Sequence, residues 1–173
     1  MTAQLGMGGH HAPNKGAKDE WLTPPSIVRT LGPFNLDPCS PIHRPWKTAD
    51  RHLTVLDDGL TARWAPHEFV WLNPPYGPET WGWLKRLADH PGGGVALIFA
   101  RTETAGFVDA VWNRADALLF LHGRLHFHHV DGTRAAANAG APSVLVGYGD
   151  EGAARLRTCG LPGSFIDMRK QAT

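Results

Sequence analysis

Glu68-Phe69-Val70-Trp71-Leu72-Asn73-Pro74-Pro75-Tyr76-Gly77 is the stretch on which the reading of this chain turns. Its first half is a short apolar run rich in aromatic and β-branched residues, the pattern of a strand covered on both faces. Its second half cannot extend that strand. Pro74 and Pro75 offer no ladder N–H, and Asn73 and Gly77 are turn residues. The strand therefore ends on a stiff corner.

Downstream, Trp81, Leu84, Leu87 and Ala88 recur at helical spacing, with Lys85, Arg86 and Asp89 on the other side, until Pro91 and three glycines end the helix. Residues 95–99 read as a second buried strand, and a helix is expected over about 104–114. Strands are predicted at 117–121, 125–129 and 144–148, with a hairpin late in the chain. Upstream, Thr23-Pro24-Pro25 opens a helix that places Ile27, Val28 and Leu31 on one face, and Gly32-Pro33 stops it. Phe34-Asn35-Leu36-Asp37 is a short strand halted by Pro38. Residues 39–65 give no clear element beyond a turn at Asp57-Asp58-Gly59. Residues 1–18, His10 and His11 among them, read as a flexible tail before one domain at 19–173. Alternating strands and helices predict an α/β fold with a mainly parallel sheet and an antiparallel edge.

Hydrophobic content of 42% and charged content of 19% exclude wholesale disorder. No apolar run has the length of a membrane span. Cys39 and Cys159 are too few for a disulfide framework, so a cytoplasmic setting is expected. A net charge of +1 excludes a grip on nucleic acid by bulk charge and leaves only a local patch. The histidines at 122, 126, 128 and 129 lack a cysteine or acidic partner close in sequence, and no metal is expected.

In sheets of this kind ligands bind at the carboxyl ends of the strands. Two such ends stand out, Asp37-Pro38-Cys39 and Asn73-Pro74-Pro75-Tyr76. A nitrogen conjugated with an aromatic ring is a poor nucleophile. Two acceptors aimed at its two N–H groups favour a pyramidal nitrogen and stabilise the charge that grows on it. The Asn73 side-chain oxygen and the Pro74 carbonyl suit that task, rigid Pro74-Pro75 fixes them, and Tyr76 is placed to stack on the ring.

The pattern resembles the phage-type DNA N6-adenine methyltransferases, often called Dam-like. The resemblance rests on Trp21-Leu22-Thr23-Pro24, Phe34-Asn35-Leu36-Asp37, Asp58-Gly59-Leu60 with Trp64, Trp71 to Gly77, Arg101-Thr102-Glu103-Thr104 with Phe107, and Gly123-Arg124-Leu125 with Phe127. It covers roughly Trp21 to Tyr148. It implies a trimmed Rossmann-like class I fold that uses S-adenosylmethionine to methylate adenine in double-stranded DNA. The implied setting is modification of phage DNA inside an infected bacterium, as protection against restriction.

Roles follow by resemblance. Asn73, Pro74, Pro75 and Tyr76 are catalytic. Thr23 and Pro24 meet the methionine end of the cofactor, and Asp37, with Pro38 and Cys39, its ammonium. Asp58, Gly59 and Leu60 stand where related enzymes hold the cofactor's adenine, with Asp57 a rival to Asp58. Arg101, Thr102 and Arg124 border the DNA, although Arg124 has a salt-bridge role as an equal alternative. The chain departs from the pattern at Ser40-Pro41-Ile42-His43, which replaces the usual glycine-rich loop. Asp50 is the one candidate for the cofactor's ribose. Methylation of RNA or of protein amides, and a degenerate fold that only binds DNA or a partner, stay as alternatives.

Overall fold

The computed structural model describes residues 21–169, so the expected tail and His10-His11 lie outside the described residues. Seven strands form one sheet in the order β2-β1-β3-β4-β6-β5-β7. They are β1 (Leu36–Asp37), β2 (Arg51–His52), β3 (Val70–Leu72), β4 (Gly94–Phe99), β5 (Ala117–Leu121), β6 (Ser143–Tyr148) and β7 (Gly163–Asp167). The β2-β1-β3-β4 half is parallel throughout, whereas β6 pairs antiparallel with both β4 and β5, and β7 antiparallel with β5. Five strands thus point one way and two the other. The antiparallel part is not confined to the edge, because β6 sits between β4 and β5.

Helices cover both faces. On one, α2 (Thr80–Asp89) buries Trp83, Leu84 and Leu87 against Val70, Leu72, Ala96 and Ile98. It is joined there by α3 (Ala105–Phe107), which runs into a π-helical stretch, Val108–Trp112. On the other face, α1 (Pro25–Leu31) buries Ile27, Val28 and Leu31, and α4 (Gly149–Thr158) buries Ala153 and Leu156, against Trp71, Val95, Leu97 and Leu145. Parallel strands sandwiched this way shed their polar edges and read as unbroken apolar runs. This is the Rossmann-like arrangement expected of a methyltransferase. No helix among the described residues is long and apolar enough to cross a membrane.

Residues 125–129 form no strand. The outer strands are β2 and β7, and this segment joins neither; it folds over the rim and has only isolated bridges, Leu22 with His128 and His128 with Arg134. The expected helix at 104–114 begins as α3 and loosens at Val108, whose carbonyl accepts the Asn113 N–H five residues on. The late antiparallel pairing is made by consecutive strands β5 and β6, joined by a long connection instead of a tight turn. Elements β2, α4 and β7 were not foreshadowed by the sequence pattern.

Candidate active site

The parallel register sets Leu36 beside Val70, and Val70 beside Gly94, so β1, β3 and β4 end on one rim. The corner after β3 is held from two sides. Thr80, at the start of α2, donates its hydroxyl to the Pro75 carbonyl at 2.6 Å and accepts the Gly77 N–H at 3.2 Å. From the other direction the Asn73 Nδ2 donates to the Trp21 carbonyl at 3.1 Å. A carbonyl only accepts, so the amide nitrogen must face it and Oδ1 must point away. That Oδ1 is buried and has no hydrogen-bond partner among the described residues. The Pro74 carbonyl likewise accepts nothing from them. A buried acceptor left in this state costs about 1–3 kcal/mol. Two oxygens at one stiff corner are therefore kept waiting.

Tyr76 lies flat on Phe99 from the end of β4, with ring centroids 4.1 Å apart and planes within 10°. Phe127 meets it edge-on at 6.3 Å. Burial pushes the Tyr76 phenol above its ordinary pKa, so it is a neutral aromatic surface and not an acid–base group at pH 7. Beside the stack opens a cavity of about 580 Å³, with Tyr76, Thr80, Trp81, Phe99, Arg101 and Thr104 among its walls. Trp81, placed by its spacing on the helix's apolar side, is only half-buried and packs over Gly106, where a Cβ would collide with the indole. The Arg101–Thr104 turn closes on itself, Thr104 donating both its N–H and hydroxyl to the Arg101 carbonyl. The Thr102 carbonyl accepts the Trp112 indole N–H at 3.0 Å.

The corner after β1 is built differently. Asp37 is only 4% exposed. One carboxylate oxygen accepts the Cys39 N–H at 3.1 Å and the other the Thr48 hydroxyl. Desolvation raises its pKa to about 6 against these two hydrogen bonds, and no described residue forms a salt bridge with it. It is thus a buried carboxylate, largely ionised at pH 7, that feels the Arg44 charge without forming a salt bridge with it. Burial and the Asp37 charge push the Cys39 thiol up, which leaves it no thiolate character and no nucleophilic role. Thr23, at the mouth of α1, is buried with no partner for its hydroxyl among the described residues, and Pro24 caps that helix.

Asp58-Gly59-Leu60 lies directly against this corner. A Cβ on Gly59 would strike the Pro38 carbonyl and the Trp83 ring, so only glycine permits the approach. The loop is strapped down by Trp64, whose indole donates to the Gly59 carbonyl at 3.0 Å, and by Arg86, which donates to the carbonyls of Leu60 and Ala62. Both rival carboxylates are used locally. Asp57 accepts the N–H and hydroxyl of Thr54, and Asp58, at a φ of 47°, accepts from Leu60 N and the Thr61 hydroxyl.

Most of the residues singled out by sequence therefore meet on one rim, with exceptions. Arg124 turns its guanidinium to the Ala139 carbonyl at 3.4 Å, and no acidic partner pairs with it among the described residues. Asp50 sits at the amino end of β2, where it accepts from Asn35 at 3.4 Å, on the wrong end of the sheet for the ribose. The histidines disperse: His122 pairs with Ser164, His126 with the Ala135 carbonyl, and no three His, Cys, Asp or Glu side chains converge among the described residues. Sequence reasoning gave no role to the Trp21 carbonyl, Thr48, Phe99 or His52. The His52 Nε2 accepts the N–H groups of Thr48 and Ala49 at 3.2 and 3.3 Å, and burial lowers its pKa to about 4, so it stays neutral.

Comparison with curated proteins and with solved structures gives no match. A family model described as DNA N-6-adenine-methyltransferase (Dam) matches residues 10–151. That span takes in both corners, the cavity between β4 and α2, and every strand but the last, and the chain belongs to this family of DNA adenine-N6 methyltransferases.

Proposed function

We propose that the chain takes a methyl group from S-adenosylmethionine and places it on the N6 amine of an adenine extruded from duplex DNA, with Asn73 Oδ1 and the Pro74 carbonyl holding that amine. The observation that carries this reading is the unpaired Oδ1 of an amide whose other end is pinned to Trp21. Pinning Nδ2 fixes the amide's orientation, so the acceptor needs no reorganisation when charge develops on the amine. Oδ1 is closed to solvent in the free protein, so the amine reaches it only after side chains at the corner move. Tyr76 then exchanges Phe99 for the base, whose ring offers the same flat, apolar contact. Extrusion is required because N6 is engaged in base pairing within the helix.

The residues present fit the methyl donor. S-adenosylmethionine carries an ammonium and a sulfonium, and Asp37 is a buried carboxylate with no salt bridge to a described residue. Bound there, the donor supplies a methyl already activated by its positive sulfur. Asp37 would bind the ammonium, with Thr23, Pro24, Pro38 and Cys39 around it. The backbone of Asp58, Gly59 and Leu60 would meet the adenine end, since both nearby carboxylates serve their own turns. On the base side, Arg101 and Thr102 would border the DNA strand and Arg124 would reach a phosphate further along the rim. Modification of phage DNA in an infected bacterium is the setting this reading carries.

Methyl transfer from labelled S-adenosylmethionine to duplex DNA, RNA and protein, offered side by side, tests the proposal. Label should appear in DNA alone, and digestion should recover it as N6-methyladenine. Label in RNA or in a glutamine amide, with none in DNA, would contradict it.

A further inference from the structure

The segment that replaces the glycine-rich loop carries an unassigned feature. Its two feet are tied to the rim: Ser40 N donates to the Leu53 carbonyl at 2.9 Å, and the Thr48 hydroxyl donates to Asp37. His52 pins the second foot by accepting from Thr48 N and Ala49 N. Residues 41–47 must therefore project from the carboxyl ends of β1 and β2. Their tip rests on the loop that crosses the rim, with Pro45 against Gly132 and Trp46 edge-on to His128 at 5.4 Å. That crossing loop is hydrogen-bonded through His128 to Leu22, next to the Trp21 carbonyl that orients Asn73.

Between the two loops lies a wide depression of about 600 Å³, walled by His43, Arg44, Trp46, Lys47 and Val130. From Ser40 to Ala49 the chain has two permanent cations and a histidine but no acid. Neither Arg44 nor Lys47 forms a salt bridge with a described residue. Arg44 uses Nη1 on the Pro41 and Ile42 carbonyls, which fixes its guanidinium and leaves the remaining N–H groups unengaged. The Trp46 indole N–H, buried behind the same wall, has no acceptor among the described residues. Asp131, beside Val130, turns its carboxylate into its own turn, onto Thr133 N and Oγ1, and Asp37, which feels the Arg44 charge, forms no salt bridge with it. In a chain of net charge +1, this is a local concentration of cationic donors outside any salt bridge with a described residue, beside the catalytic rim.

We propose that this depression is a phosphate clamp: Arg44 and Lys47 hold the backbone of the DNA strand flanking the extruded adenine. The fixed, forked guanidinium suits a phosphodiester, and the ammonium adds a mobile point charge. A clamp on the backbone adds affinity without reading sequence and sets the register of the duplex on the rim. The inference rests on the DNA reading above and extends it to a second contact surface, on the Asp37 side of Asn73.

The test is the double variant Arg44→Gln/Lys47→Gln, titrated with a fluorescent duplex between about 50 and 200 mM salt, with S-adenosylhomocysteine affinity measured by calorimetry. The clamp predicts DNA binding weakened about tenfold at low salt and a salt slope shallower by about 1–2, because each lost phosphate contact removes roughly one released counterion. S-adenosylhomocysteine affinity should move by far less than DNA affinity, through the Arg44 charge at Asp37 alone, and turnover at saturating DNA should persist. Arg29→Gln/Lys85→Gln, which removes the same charge elsewhere, should leave the slope as it is. An unchanged slope in the Arg44/Lys47 variant would overturn the clamp while leaving the DNA reading intact. Loss of S-adenosylhomocysteine affinity with DNA binding preserved would also overturn it, and would assign the depression to the cofactor's carboxylate. Absence of duplex binding by the unaltered protein would overturn both.

Discussion

The two corners of the rim solve the same problem in opposite ways. After β3, covalent stiffness does the positioning: two prolines fix the path, one threonine holds a carbonyl, and an acceptor is left unpaired. After β1, long-range contacts do it: Thr48 and Cys39 hold Asp37, His52 holds Thr48, and Gly59 closes on Pro38. The first corner stores an unmet hydrogen bond and the second an unmet charge. Each is destabilising in the free protein, and each is the kind of deficit that a specific ligand removes. Sites are often less stable than their scaffold for this reason.

Substitutions that erase one deficit at a time would break this contrast. Asn73→Ala removes the acceptor and should lower kcat by about 10²–10³-fold, the range seen when one preorganised partner of a developing charge is lost. S-adenosylhomocysteine affinity in that variant should stay near normal in calorimetry, because the acceptor belongs to the base side. Asp37→Asn should do the reverse in binding. Loss of a charge-assisted contact, worth about 1.5–3 kcal/mol, corresponds to roughly a 10- to 150-fold weaker hold on the donor.

Asp37→Asn should also sharpen the contrast through pH. Burial raises the Asp37 pKa to about 6, above its unfolded value of 3.8, so ionisation opposes folding. The cost is absent below about pH 4, grows as pH rises, and is complete above about pH 6, with a ceiling of roughly 3 kcal/mol. Asp37→Asn should therefore raise the unfolding midpoint at pH 8 and lose that advantage near pH 4, in denaturant titrations at each pH. Donor affinity of the unaltered protein should fall as pH drops through about 6, since the neutral acid no longer attracts the ammonium. A pH-independent affinity would separate Asp37 from the cofactor.

The same contrast explains which parts were readable from sequence. The path of the β3 corner was, because the prolines and Thr80 that shape it lie within Val70 to Thr80 and each residue type has one dominant local effect. Helices α1 and α2 were read from their stop signals and apolar faces, and β4 to β6 from unbroken apolar runs. The β1 side was not. Strand β2 is two residues long, and its Arg51 is held by Glu68, 17 positions away. Asn73's orienting partner is 52 positions away, and a backbone carbonyl carries no residue signature. Residues 125–129 alternate as a strand would, but their bridges are with Leu22 and Arg134, far off in sequence or across a turn, and not with the sheet. Helix α4 carries Gly152 against the Gly94 carbonyl, a packing glycine that masked its pattern.

The most direct measurement is a crystal structure of the protein with a short duplex and S-adenosylhomocysteine. It should show an extruded adenine with N6 about 3 Å from Asn73 Oδ1, while Nδ2 remains on the Trp21 carbonyl. An adenine bound in the site with N6 held by other groups, and Oδ1 still without a partner, would contradict the account.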